Sequence, residues 1–160
     1  RKEIIDSLGG FQFTDFQSWN TNHTIEDNIH LEEFQIDIWH ITADINDTIV
    51  NDVLEKHDTN LSKLNLMDTL LNCIPLHDLN GDIERWKEKS SQFPSELSEK
   101  IIRENLSVFT NGNSSIHIER KDFTILYGLI SGLRKRMFLV LLGLSKVYYP
   151  TYKRRRKSSK

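Results

Sequence analysis

The spacing of hydrophobic and polar positions has one rhythm near the start of the chain and another over the rest. Residues 34–41, FQIDIWHI, alternate: Phe34, Ile36 and Ile38 fall on one side, and Gln35, Asp37, Trp39 and Ile41 on the other. A two-residue period predicts a β-strand. Residues 29–31 suit its hairpin partner, and Phe11, Phe13 and Phe16 predict a short strand over 11–16. The polar stretch 18–28 reads as loop. Residues 1–8 read as the end of a helix, with Ile4, Ile5 and Leu8 together and Gly9-Gly10 as the stop.

After Thr42 the period becomes helical. Asp44 or Asn46 can cap a helix reaching about Lys56, with Ile45, Ile49, Val53 and Leu54 inward. Residues 61–72 predict a second helix whose stripe is Leu61, Leu64, Met67, Leu70 and Leu71, ended by Pro75. Asp78-Leu79-Asn80-Gly81 is a turn signal. A charged helix follows over 82–92, and Pro94 opens another from Ser95 to about Phe109. Residues 110–115 read as a polar loop. Asp122 caps a long last helix that reaches Tyr149, where Pro150 stops it. The expected fold class is therefore α+β, mostly α, with strands in the first quarter and helices after a boundary near residues 42–47.

Composition narrows the class. At 38% hydrophobic and 28% charged residues, the chain has the balance of a globular domain rather than a disordered or collagen-like one. Its single cysteine, Cys73, excludes an internal disulfide and a thiolate-rich zinc site. The net charge of −2 conceals a basic end: residues 153–160, KRRRKSSK, hold six of the 21 basic residues, leaving the other 152 residues strongly acidic. An acidic body argues against a nucleic-acid binder, which would carry a basic face. The most apolar run, MFLVLLGL at 137–144, falls far short of the roughly 20 residues a membrane span needs. It reads as a buried helix segment, and the expected setting is cytoplasmic with no membrane partner. Arg1 in place of an initiating methionine reads as a fragment of a longer protein.

Few residues point to chemistry. Asp37, flanked by Ile36 and Ile38, is the sharpest: a carboxylate in a strand needs solvent, a partner or a metal. Asp15 and the pair Glu26-Asp27 are its possible neighbours. The six histidines, His23, His30, His40, His57, His77 and His117, make no metal-ligand spacing. His40 shares the side of Ile38 and reads as a hydrogen-bonded core histidine. Cys73, in LLNCIPL, reads as buried and inert. Tyr148, Tyr149 and Tyr152 beside the basic tail read as helix-end aromatics with solvated lysines.

The order of several segments resembles one family. KEIIDSLG at 2–9, FQIDIWHIT at 34–42 and VLEKHD at 53–58 are followed by LMDTLLNCIPLHDLNGDIERWKEK at 66–89, FPSELSEKIIRENLSVF at 93–109 and LLGLSKVYYPTYK at 141–153. Together they resemble bacterial proteins that join a polymerase-β-type nucleotidyltransferase domain to a helical domain of unknown function. The family pattern has Asn-Arg and a Gly where this chain has Ser145-Lys146 and Thr151.

The resemblance implies that residues 1–44 are the C-terminal part of the nucleotidyltransferase-like α/β domain, 45–152 the helical domain and 153–160 a basic tail. It implies that Asp37 is a catalytic and metal-binding residue, the third carboxylate of the site. The family's Gly-Ser and Asp-x-Asp motifs would precede Arg1. With them, Asp37 would help hold two Mg²⁺ ions that bind a nucleoside triphosphate and activate an acceptor hydroxyl, on a small molecule or protein not identified here. The expectation is thus a nucleotidyltransferase parent, with the isolated chain inactive; the alternative is a non-catalytic helical binding module.

Overall fold

The computed structural model describes residues 13–20, 25–31, 35–107 and 115–150. The predicted helix over 1–8, the predicted loop over 110–115 apart from Ser115, which is helical, and the basic tail lie outside them. The chain divides into two units, Arg1–Asn46 and Asp47–Lys160. As expected, it is α+β and mostly α.

The first unit holds three strands: β1 (Phe13–Asn20), β2 (Ile25–Leu31) and β3 (Gln35–His40), in the order β1-β2-β3, each pair antiparallel. β3 matches the strand expected from its alternation, and β2 is its hairpin partner. The polar stretch 18–28 is not the loop its composition predicts, because Ser18–Asn20 belong to β1 and Ile25–Asn28 to β2. Antiparallel ladders are made by the backbone and tolerate polar side chains on one face, so polarity misleads here. Ile29, fully buried opposite Ile36, anchors the apolar face. A register shift between Phe13 and Asp15 marks a bulge in β1.

The helices are α1 (Ala43–Leu54), α2 (Leu61–Asn72), α3 (Asp82–Ser91), α4 (Ser95–Leu106), the short α5 (Ser115–Glu119) and α6 (Phe123–Ser145). α1 starts a turn earlier than a cap at Asn46 would place it, because the Asn46 amide already donates to the Thr42 carbonyl at 3.2 Å. Val50 and Val53 are its buried hydrophobic positions, Asn46 is buried as well, and Ile45 and Ile49 are only half-buried. α2 has the predicted bounds. Its cap is Asn60, whose Oδ1 accepts from the Ser62 and Lys63 amides at 2.9 and 3.4 Å. Gly81, at φ 72°, makes the turn into α3, and the Asp78 carboxylate caps that helix through the Ile83 and Glu84 amides. A left-handed φ is cheap only for glycine.

The core of the helical unit gathers Val50 and Val53 from α1, Leu64, Met67 and Leu70 from α2, Trp86 from α3, Leu97 and Ile101 from α4, and Leu139 from α6. Tyr148 and Tyr149 complete it, which explains why α6 ends at Ser145 and not at Tyr149. Lys146 turns left-handed at φ 51°, and amides of Lys146 and Val147 close onto Gly143 and Leu142 carbonyls, a Schellman-type stop. The chain then lays Tyr148 on Phe93, ring centroids 4.7 Å apart, and Tyr149 edge-on to Phe138. Burial raises the Tyr148 phenol's pKa, and its hydroxyl has no hydrogen-bond partner among the described residues.

α4 and α6 pack at a close approach. The Ser98 hydroxyl donates to the Gly143 carbonyl at 2.7 Å, and a Cβ added at Gly143 would stand 3.0 Å from Ile102 Cγ1. No described helix is long and apolar enough to cross a membrane.

Candidate functional site

The alternation of β3 survives in its burial. Gln35, Asp37 and Trp39 are exposed, and Ile36, Ile38 and His40 half-buried. Asp37 stands mid-strand opposite Asn28, and Gln35 Nε2 donates to its Oδ1 at 2.5 Å. A solvated carboxylate is a hard oxygen donor suited to Mg²⁺. Asp27 cannot join it: it lies opposite Ile38, one position out of phase, and so on the other face. Asp15 pairs with His30 and Glu26 with Trp39 in the ladder. Among the described residues no three His, Cys, Asp or Glu side chains converge as a metal site.

On the opposite face, His40 Nε2 meets Asp27 Oδ2 at 2.9 Å, with the Asp27 side chain almost wholly enclosed. His40 is thus a hydrogen-bonded histidine of the apolar face, as its spacing predicts. Its partner is not legible in the sequence, because Asp27 falls in a stretch that reads as loop.

Two charged nodes organise the helical unit. Trp86 Nε1 donates to Asp47 Oδ1 at 2.8 Å, and Arg85 pairs with both Asp47 and Asp82. The Trp86 hydrogen bond, with help from Arg85, holds the Asp47 carboxyl below its ordinary pKa. In the second node, Lys63 Nζ lies 2.6 Å from Asp52 and 2.7 Å from Asp58, and Lys56 also binds Asp52. These ammonium groups lower both carboxyl pKa values, Lys56 first for Asp52 and Lys63 first for Asp58. Hydrogen bonds to Asp52 and then Asp58 raise that of Lys63. Each node has one pair at helical spacing, Asp82 with Arg85 and Asp52 with Lys56, but spacing does not signal the rest, since Asp47 and Trp86 lie 39 residues apart.

The nodes set a pH dependence. Carboxyls depressed in the fold stabilise it fully above their unfolded pKa of about 3.9, and the contribution is lost as pH falls through the folded values. The raised Lys63 contributes below about pH 10.4 and is lost above it. Melting followed by circular dichroism should therefore show a fall below about pH 4 that is shallower in Lys63→Met. Equal acid slopes for the two proteins would remove the node as its cause.

Two clefts open on the helical unit. One, of about 590 Å³, has an apolar wall of Leu54, Phe93 and Pro94 and a mixed rim of Glu55, Glu88 and Lys89. The other, of about 340 Å³, has a floor of Leu64, Ile101 and Leu139 with Lys135, Arg136 and Glu104 at its mouth. Cys73 is half-buried rather than buried, its thiol donating to the Leu70 carbonyl at 3.1 Å.

An open apolar surface runs along α6. Leu139 and Gly143 face α4, yet Phe123, Tyr127, Ile130, Met137 and Leu141 are each more than half exposed. The apolar run that reads as buried in the sequence is covered on one side only. The chain matches no family model, no curated protein and no solved structure.

Proposed function

We propose that this chain is part of a nucleotidyltransferase-type protein, in which Asp37 supplies one carboxylate to the metal site and the helical unit serves the acceptor. One observation carries the reading: Asp37 is solvated in the middle of an antiparallel strand, between two isoleucines that turn the other way. Gln35 Nε2 donates to the carboxylate, and an ionised carboxylate can accept at either oxygen. Bound Mg²⁺ would neutralise the triphosphate and polarise the acceptor hydroxyl. The described side chains alone do not fit a two-metal site: Asp37 is one ligand and Asp27 faces away. The other carboxylates would come from elsewhere in the parent protein, and the isolated chain is expected to transfer no nucleotide.

In the full-length parent, Asp37→Asn should lower Mg²⁺-dependent release of pyrophosphate by about 100-fold, the scale of losing one preorganised electrostatic group. Gln35→Ala should cost less. Unchanged transfer in Asp37→Asn would sink the assignment, as would robust transfer by the isolated chain.

A second reading, favoured by α6, is an interaction module. A helix apolar on two sides ordinarily packs on both; here the described residues cover one. In this reading the open side of α6 receives a partner.

A further inference from the structure

The open side of α6 has a spacing of its own. Phe123, Ile130, Met137 and Leu144 recur every seven residues, and Leu126, Leu133 and Val140 follow three residues after the first three of them. These are the a and d positions of a heptad, sustained through three repeats. The a row is open: Phe123 is 61% exposed, Ile130 60%, Met137 56% and Leu144 64%. The row lies across the helix from Leu139, which belongs to the core, and turns away from Gly143, which packs on α4. A period of 3.5 fits a second helix wound along this one, because knobs entering holes need that repeat.

The flanking positions choose the occupant. Beside the seam run Tyr127, Arg134 and Leu141 on one edge and Leu129, Arg136 and Gly143 on the other, the last of them packed on α4, and α6 contains no Asp or Glu. Two copies of α6 would bring their arginines into one central heptad with no carboxylate to answer them. A helix with acidic flanks would answer each. Resting on the interaction reading above, we propose that α6 docks an amphipathic helix of another segment, with apolar a and d positions and carboxylates at e and g.

The test uses the full chain and a labelled synthetic peptide of three heptads, Leu at a and d and Glu at e and g, beside the same peptide with Lys at e and g. Fluorescence anisotropy should show the Glu peptide binding at least about tenfold more tightly than the Lys peptide, and more weakly as salt rises. The double variant Ile130→Glu/Met137→Glu should lose the Glu peptide, while its melting by circular dichroism stays unchanged because both side chains are exposed. Equal binding of the two peptides, or none, overturns the proposal. The same chain is followed by sedimentation equilibrium alone and with vesicles of four parts phosphatidylcholine to one of phosphatidylserine. Self-association or vesicle binding abolished by the double variant, with the Glu peptide ignored, overturns the acidic helix and leaves the interaction reading standing. If the double variant changes none of these, both fall.

Discussion

Trp86→Ala should unfold much of the helical unit at room temperature. Trp86 is 5% exposed and belongs to one core cluster with Val50 and Val53 of α1, Leu64, Met67 and Leu70 of α2, and Leu97 and Ile101 of α4. Truncating a buried tryptophan costs about 3–5 kcal/mol through lost transfer energy and the cavity left behind. The variant also loses the Nε1 donor to the partly exposed Asp47 carboxylate. The cavity alone approaches the lower end of the stability of an ordinary domain, about 5–15 kcal/mol. Trp86→Phe keeps most of the volume and leaves Asp47 paired with Arg85, so it should lose only the bond and a little packing. Urea titration followed at 222 nm separates them. Midpoints that coincide for Ala and Phe would mean that Trp86 is not the keystone described.

The second large effect is expected at Gly143. A Cβ there would lie 3.0 Å from Ile102 Cγ1, 3.3 Å from Ile101 Cγ2 and 3.4 Å from the Ser98 carbonyl. Alanine gains about 1 kcal/mol of helix propensity over glycine, which offsets the crowding of one methyl group. Leucine adds three more carbons to a space already closed, forcing α4 from α6 and stretching the Ser98 bond to the Gly143 carbonyl. The expected order is Gly143→Ala near the parent and Gly143→Leu lower by about 3 kcal/mol. Calorimetric melting that finds Leu as stable as Ala would show that the two helices do not approach so closely.

Much of this arrangement is legible in the sequence because its signals are local. The stripe of α2, the proline before α4, the turn at Gly81 and the cap at Asp122 each lie within a few residues of what they determine. β3 is legible for the same reason, and with it the exposure of Asp37. Of β2 only residues 29–31 are legible, as the hairpin partner of β3; residues 25–28 are not, because their polar side chains join a ladder whose partners lie elsewhere in the chain. The end of α6 is hidden too: nothing local says that Tyr148 and Tyr149 serve the core better outside a helix than in one. Asp27 with His40, Asp47 with Trp86 and Lys63 with Asp52 are long-range meetings, and spacing carries no record of them. The seam on α6 is written plainly every seven residues, but its openness is a fact of packing.

The two tyrosines after α6 also bear on how the helical unit comes into being. Asn65 in α2 donates to the Tyr149 carbonyl across 84 residues, and Tyr148 closes over Phe93. The core is therefore sealed by residues made late. Local helices can form as each emerges from the ribosome, but the cooperative unit must wait until Tyr149 has cleared the exit tunnel. Until then Leu64, Met67 and Trp86 stand against an unfinished wall, and synthesis stalled short of Tyr148 would leave a chain for chaperones rather than a smaller version of this fold.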